Sequence, residues 1–144
     1  MVDNLINMKT KKALIKKSST NNYPLGDFLI RIKNAAMATR HTLSVPKSKL
    51  IYSVAKVLEK EKVIEDLKED DGKLMMRLVF RSKEPVITHI RLVSKPGLRI
   101  YMSVDELEKI KGPSMYLLST PKGIMSAREA IKKSLGGEVI AEIL

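Results

Sequence analysis

A two-domain α+β fold is predicted by three features of this 144-residue chain: apolar residues at helical spacing in its first half, short alternating runs between turn residues in its second, and a break at Ser82-Lys83-Glu84-Pro85. With 44% hydrophobic residues the chain can bury a core. The expected architecture is two helices on a small antiparallel sheet over residues 23–85, then a mostly β domain with short helices over 86–144.

A basic extension, residues 1–22, precedes both. It carries five lysines against one aspartate and ends in the polar linker "SSTNN". Its middle, "LINMKTKKALIKK", could form a short helix, but with little apolar surface to bury the extension is expected to be disordered when free and to order against a polyanion. It lacks the apolar block and small-residue cleavage site of a signal peptide.

The first helix is expected from Pro24, which suits a first helical turn, to about Ala38, with Leu25, Phe28, Leu29, Ile32 and Ala36 inward. "HTLSVP" alternates like a short strand, and Ser48 caps a second helix with Ile51, Val54, Ala55 and Leu58 on its inner face. "EDDGK" reads as a hairpin turn with Asp71-Gly72 at its tip, leading into "KLMMRLVFR", where Leu74, Met76, Leu78 and Phe80 share a face.

Beyond the break, "VITHIRLV" and "LRIYMS" read as strands joined by a type II turn at Lys95-Pro96-Gly97. A short charged helix near Asp105–Lys111 and the strand "MYLLST" follow. Ser126-Ala127-Arg128-Glu129 is a capping box for a last helix, which Gly136-Gly137 ends before the strand "EVIAEIL".

Charge narrows the function. Lys and Arg number 27 against 16 Asp and Glu, a net charge of +11, which points to a polyanionic partner, nucleic acid before an acidic membrane. A merely basic soluble protein is the alternative. The absence of cysteine excludes disulfides and thiolate metal sites and fits a reducing compartment, the cytoplasm. No apolar run approaches the ~18 residues of a membrane span, so no membrane partner is expected.

Enzyme signatures are missing: there is no Gly-rich phosphate loop, nucleophile elbow or metal cluster, and no cofactor is expected. His41 and His89 are too few for a usual histidine metal site and read as structural or surface residues. "EKEKVIEDLKEDDGK" gathers seven carboxylates without the spacing of a calcium loop, so it reads as a solvated acidic end turned away from RNA. Met75, Met76, Met102, Met115 and Met125 read as core filling, while Tyr101 could stack on a base or cover the sheet.

The stretch "STPKGIMS" is the candidate site. Ser119 and Thr120 end a strand, Lys122 and Gly123 leave it, and a helix opens at Ser126. Hydroxyls, backbone groups and a helix start suit phosphates, sugars and base edges. The same residues also fit an ordinary strand-to-helix connection in which Ser126 is only a cap.

"YPLGDFLIRIKNAAMA", "VPKSK", "SKPGLRIY", "STPKGIMSAREA" and "GGEV" together resemble, in order and at compatible spacing, the motifs of the family of bacterial small-subunit ribosomal protein eight. The similarity runs from Tyr23 to Leu144. It implies a two-domain, non-enzymatic protein that binds the central domain of small-subunit rRNA directly and early in assembly, beside neighbouring small-subunit proteins. Its own mRNA is a further candidate partner, and no obligate homo-oligomer is expected. A DNA-binding or regulatory module would explain the charge but not the motif series.

By the same resemblance the RNA grip is the loop of Ser119, Thr120, Lys122 and Gly123. Ser94, Lys95, Pro96, Gly97, Arg99 and Tyr101 support and extend that surface, as do Gly136, Gly137 and Glu138. Asp27, Arg31 and Asn34 match the helix that touches a neighbouring rRNA region. The chain departs from the family pattern at Pro121, where a second serine is usual, at Tyr23, where an aspartate precedes the proline, and around Glu142, where an aromatic is common.

Overall fold

Leu25, Phe28, Leu29, Ile32, Ala35 and Ala36 recur every three or four residues, and that spacing lays a buried stripe along the first helix, α1 (Pro24–Met37). The computed structural model describes residues 23–144, so the extension expected over residues 1–22 lies outside the described residues. Two compact units are formed, one from Pro24–Ile90 and one from Arg91–Leu144 together with Tyr23.

In the first unit, α1 is followed by β1 (Thr42–Pro46) and α2 (Lys49–Lys60). Ser48 caps α2, its hydroxyl accepting from the Ile51 N–H at 3.1 Å, and Ile51, Val54, Ala55, Val57 and Leu58 are buried. Strands β2 (Ile64–Asp70) and β3 (Lys73–Leu78) form the expected hairpin. Asp71 and Gly72 both take positive φ, 50° and 75°, as a type I′ turn requires. The antiparallel order is β1-β3-β2, and β2 bulges between Glu65 and Lys68.

Three expectations for this unit are corrected. Phe80 does not belong to the strand of Leu74, Met76 and Leu78; it is half-buried on the separate β4 (Phe80–Arg81), with its ring 4.2 Å from that of His41. Met75 does not fill the core but is 47% exposed, because its position in the strand points it away from buried Leu74 and Met76. The break at Ser82–Pro85 is a small hairpin in its own right, β4 pairing with β5 (Glu84–Pro85), and the unit runs on to Ile90.

The second unit contains all but the first residue of β6 (Ile90–Leu92), then β7 (Tyr101–Met102), α3 (Val104–Glu108), β8 (Met115–Thr120), β9 (Gly123–Ser126), α4 (Ala127–Lys132) and β10 (Gly137–Ile143). Its sheet has the order β6-β10-β8-β9, with β7 also on β10. Val93, Ile100, Met102, Leu107, Leu118, Met125, Ala130 and Val139 form its core, joining α3 and α4 to the sheet. Ser103 caps α3 in a reciprocal capping box with Glu106. The β10–β8 ladder slips by one residue at Ile140, between the pairs Val139–Leu118 and Ala141–Leu117.

The two strands expected around the Lys95 turn are much shorter than the apolar runs suggested. Ile87 and Ile90 are buried while Thr88 and His89 are exposed, so residues 86–89 break the period of two. After β6, the N–H groups of Val93 and Ser94 both donate to the Ile140 carbonyl. The turn itself is as expected: Lys95 and Leu98 exchange two backbone hydrogen bonds, and Gly97 has φ 84°.

Candidate nucleic-acid interface

The loop after β8 is a hairpin, not a direct connection to a helix. Thr120 pairs with Gly123, Ser119 with Ile124 and Leu118 with Met125, leaving only Pro121 and Lys122 at the tip. Proline presets the backbone of a turn's first corner, and Gly123 closes it at φ 116°, which only glycine adopts freely. The Thr120 hydroxyl is used inside this turn: it donates to the Gly123 carbonyl at 2.8 Å and accepts from the Lys122 N–H at 3.2 Å. Thr120 is accordingly buried and acts as a brace, whereas Ser119 is half-buried. Ser126, also buried, caps α4 by accepting from the Glu129 N–H.

Strand register builds the surface beside the tip. Ile124 pairs with Ser119, Ser119 with Glu138 and Glu138 with Tyr101, so four strands place one row of side chains on one face. The next row, Met125, Leu118 and Val139, is buried on the opposite face. Tyr101, 62% exposed, ends the open row.

Arg99 reaches this row from beyond the turn. Its guanidinium donates to the Glu138 carboxylate at 3.0 Å and lies 5.7 Å from the centre of the Tyr23 ring. The Tyr23 hydroxyl in turn donates to the Ser94 carbonyl at 3.3 Å. Burial raises the pKa of the Tyr23 phenol despite the opposing pull of Arg99, and the hydrogen bond to Glu138 raises that of Arg99. Arg99 is thus a cation backed by an aromatic plate and ion-paired with the Glu138 carboxylate.

Ser94 lies wholly inside. Its hydroxyl accepts from the Ile100 N–H at 2.9 Å and donates to the Val139 carbonyl at 2.6 Å, so it holds the turn to β10 rather than facing a partner. Lys95 and Pro96 are half-buried, and Gly97, Lys122 and Gly123 are exposed. A methyl group on Gly137 would stand 2.3 Å from the Ser119 carbonyl oxygen, and one on Gly136 would stand 2.7 Å from that of Met102. The two glycines let β10 enter between β7 and β8. Asp27, Arg31 and Asn34 belong to the first unit, where all three are exposed along α1 at spacings of four and three.

The match to the family model described as "Ribosomal protein S8" extends over residues 23–144. The chain is 39% identical over 128 residues to the small ribosomal subunit protein uS8 of Roseiflexus castenholzii, covering 85% of this chain and 97% of that one. It is 40% identical over 126 residues to the uS8 protein of Enterococcus faecalis, covering 83% and 96%. The chain belongs to the ribosomal protein S8 family.

Its departures from the S8 pattern now have structural settings. Pro121 occupies a turn corner suited to it. Tyr23 supplies the plate under Arg99, a role that sequence reasoning missed although the residue stood out as the unusual neighbour of Pro24. Glu142 pairs directly across the ladder with Tyr116, whose hydroxyl donates to its carboxylate at 2.5 Å, so the partner strand supplies an aromatic there. Among the described residues of this S8 chain, no helix is long and apolar enough to cross a membrane, and no cluster of three or more His, Cys, Asp or Glu stands ready to hold a metal ion.

Proposed function

We propose that the chain is a structural, non-catalytic constituent of the small ribosomal subunit that binds the central domain of small-subunit rRNA directly and early in assembly. The second unit provides the grip. The observation that carries this reading is the open row of Tyr101, Glu138 and Ser119, flanked by Arg99 and by the braced tip with Lys122. It combines an aromatic face for stacking, a hydroxyl and a carboxylate for base or ribose edges, and cations for phosphates. Irregular RNA is recognised by such a mixture. The exposed Asp27, Arg31 and Asn34 on α1 are the contact to a neighbouring rRNA segment.

The test is binding of a central-domain rRNA fragment across a series of salt concentrations. Each lost phosphate contact reduces the slope of log K against log salt by about 0.7 to 0.9, so replacing Lys95, Arg99 and Lys122 together by alanine is expected to flatten it by about 2 to 3. An unchanged slope places the RNA face elsewhere. Duplex DNA of equal length is expected to compete poorly, and equal competition favours a general nucleic-acid module.

Ser119 and Thr120 separate under the same assay. Ser119→Ala is expected to weaken fragment binding by about 1–2 kcal/mol while leaving the melting temperature nearly unchanged. Thr120→Ala removes both bonds that brace the tip, so it is expected to lower the melting temperature as well as the affinity. Circular dichroism melts report the folding, and wild-type binding by folded Ser119→Ala removes that residue from the interface.

A further inference from the structure

Tyr23 stands immediately before α1 but belongs to the second unit, where its side chain makes two contacts on one turn. Its hydroxyl donates to the Ser94 carbonyl at 3.3 Å, and its ring centre lies 5.7 Å from the Arg99 guanidinium. Ser94 and Arg99 flank the turn that Lys95 and Leu98 close by pairing, one on each arm. The half-buried tyrosine therefore ties both arms together.

Arg99 has two anchors that differ in charge. Its guanidinium donates to the Glu138 carboxylate at 3.0 Å, and the two side chains are 46% and 17% exposed, so the ion pair turns its positive end toward solvent. A guanidinium carries several N–H donors in a planar fork, and the bond to Glu138 leaves the others available for a phosphate. An arginine also loses rotamer freedom when it grips a partner, and that cost falls when the side chain is already held. Glu138 holds it by opposing its charge. The ring holds it with no charge, since burial raises the pKa of the Tyr23 phenol and keeps it protonated.

We propose that Tyr23 is a positioning residue for RNA binding, holding the Arg99 guanidinium so that its remaining donors point outward and meet a phosphate. The proposal rests on the reading of the second unit as the RNA grip. Tyr23 acts through Arg99 and needs no contact with RNA of its own. The S8 pattern has an aspartate at this position, which offers no ring and adds a negative charge beside a face proposed for a polyanion. The tyrosine thus gives this chain a support for Arg99 that the usual residue does not supply.

The experiment is a double-mutant cycle on the full chain, read as affinity for the central-domain rRNA fragment well below the melting temperature, with circular dichroism as the folding control. Tyr23→Ala is expected to weaken binding about fivefold in the wild-type background and less than about twofold in the Arg99→Ala background. A merely structural tyrosine costs the same in both, so equal losses overturn the proposal. Tyr23→Phe keeps the plate and is expected to restore binding to within about twofold of wild type. A loss as large as that of Tyr23→Ala assigns the effect to the hydroxyl bond with Ser94 and overturns the plate. Tyr23→Asp is expected to bind no better than Tyr23→Ala, and wild-type binding by this variant overturns the proposal as well. The two readings fail separately: a wild-type chain that does not bind the fragment overturns the RNA grip itself, whereas wild-type binding with additive losses in the cycle overturns the positioning role alone.

Discussion

Gly137→Ala is expected to lower the unfolding free energy of the second unit by about 3 kcal/mol, the upper range for forcing extra volume into a packed site. The added methyl carbon would lie 2.3 Å from the Ser119 carbonyl oxygen, 3.0 Å from its carbonyl carbon and 3.2 Å from the Thr120 α-carbon. All three are backbone atoms of β8, so no side chain can turn aside to make room. Either β10 withdraws from β8 and breaks the pairing of Glu138 with Ser119, or β8 shifts and takes the hairpin tip with it. Both routes disturb the proposed RNA face, so fragment binding should fall with stability. Urea unfolding followed by circular dichroism measures the first effect, and a loss below about 1 kcal/mol contradicts the close approach.

Ser94→Ala is expected to be of similar size, about 3 kcal/mol, for a different reason. Removing one oxygen leaves the Ile100 N–H and the Val139 carbonyl without the partner they now share, among the buried side chains of Val93, Ile100 and Val139. An unpaired buried polar group costs about 1–3 kcal/mol. RNA affinity measured well below the melting temperature should change far less than stability does. If Ser94→Ala stays as stable as wild type but binds the fragment poorly, the hydroxyl contacts RNA and its buried placement is wrong.

Local chemistry made much of the first unit legible. Pro24, Ser48 and Asp71-Gly72 each mark an element boundary by their own backbone preference, and the apolar spacing of α1 and α2 needs no distant partner to be read. The second unit was harder because its decisive bonds join distant residues. Ser94 stands in for a ladder partner of Ile100, which no alternation pattern announces. "STPKGIMS" was open to two readings until the pairing of Ser119 with Ile124 closed it as a hairpin. Thr120 shows the limit for the site: its residue type suggested an RNA contact, but only geometry reveals that its hydroxyl braces the tip. Met75 shows the same limit, since methionine composition favours the core and strand parity alone turns it outward.

The slip at Ile140 has an electrostatic meaning. On an unbroken strand, Glu138 and Glu142 would point to the same side, because their separation is even. One extra residue reverses the parity: Glu138 shares a side with Ser119, and Glu142 shares the other with Tyr116. The first carboxylate meets Arg99, and the second is held by the Tyr116 hydroxyl and by Arg91 at 3.3 Å. A strand bearing two acids thus shows only one of them, already matched, toward the side proposed for a polyanion. The irregularity in the ladder works as a charge sorter, letting the last strand keep both glutamates without both repelling the RNA.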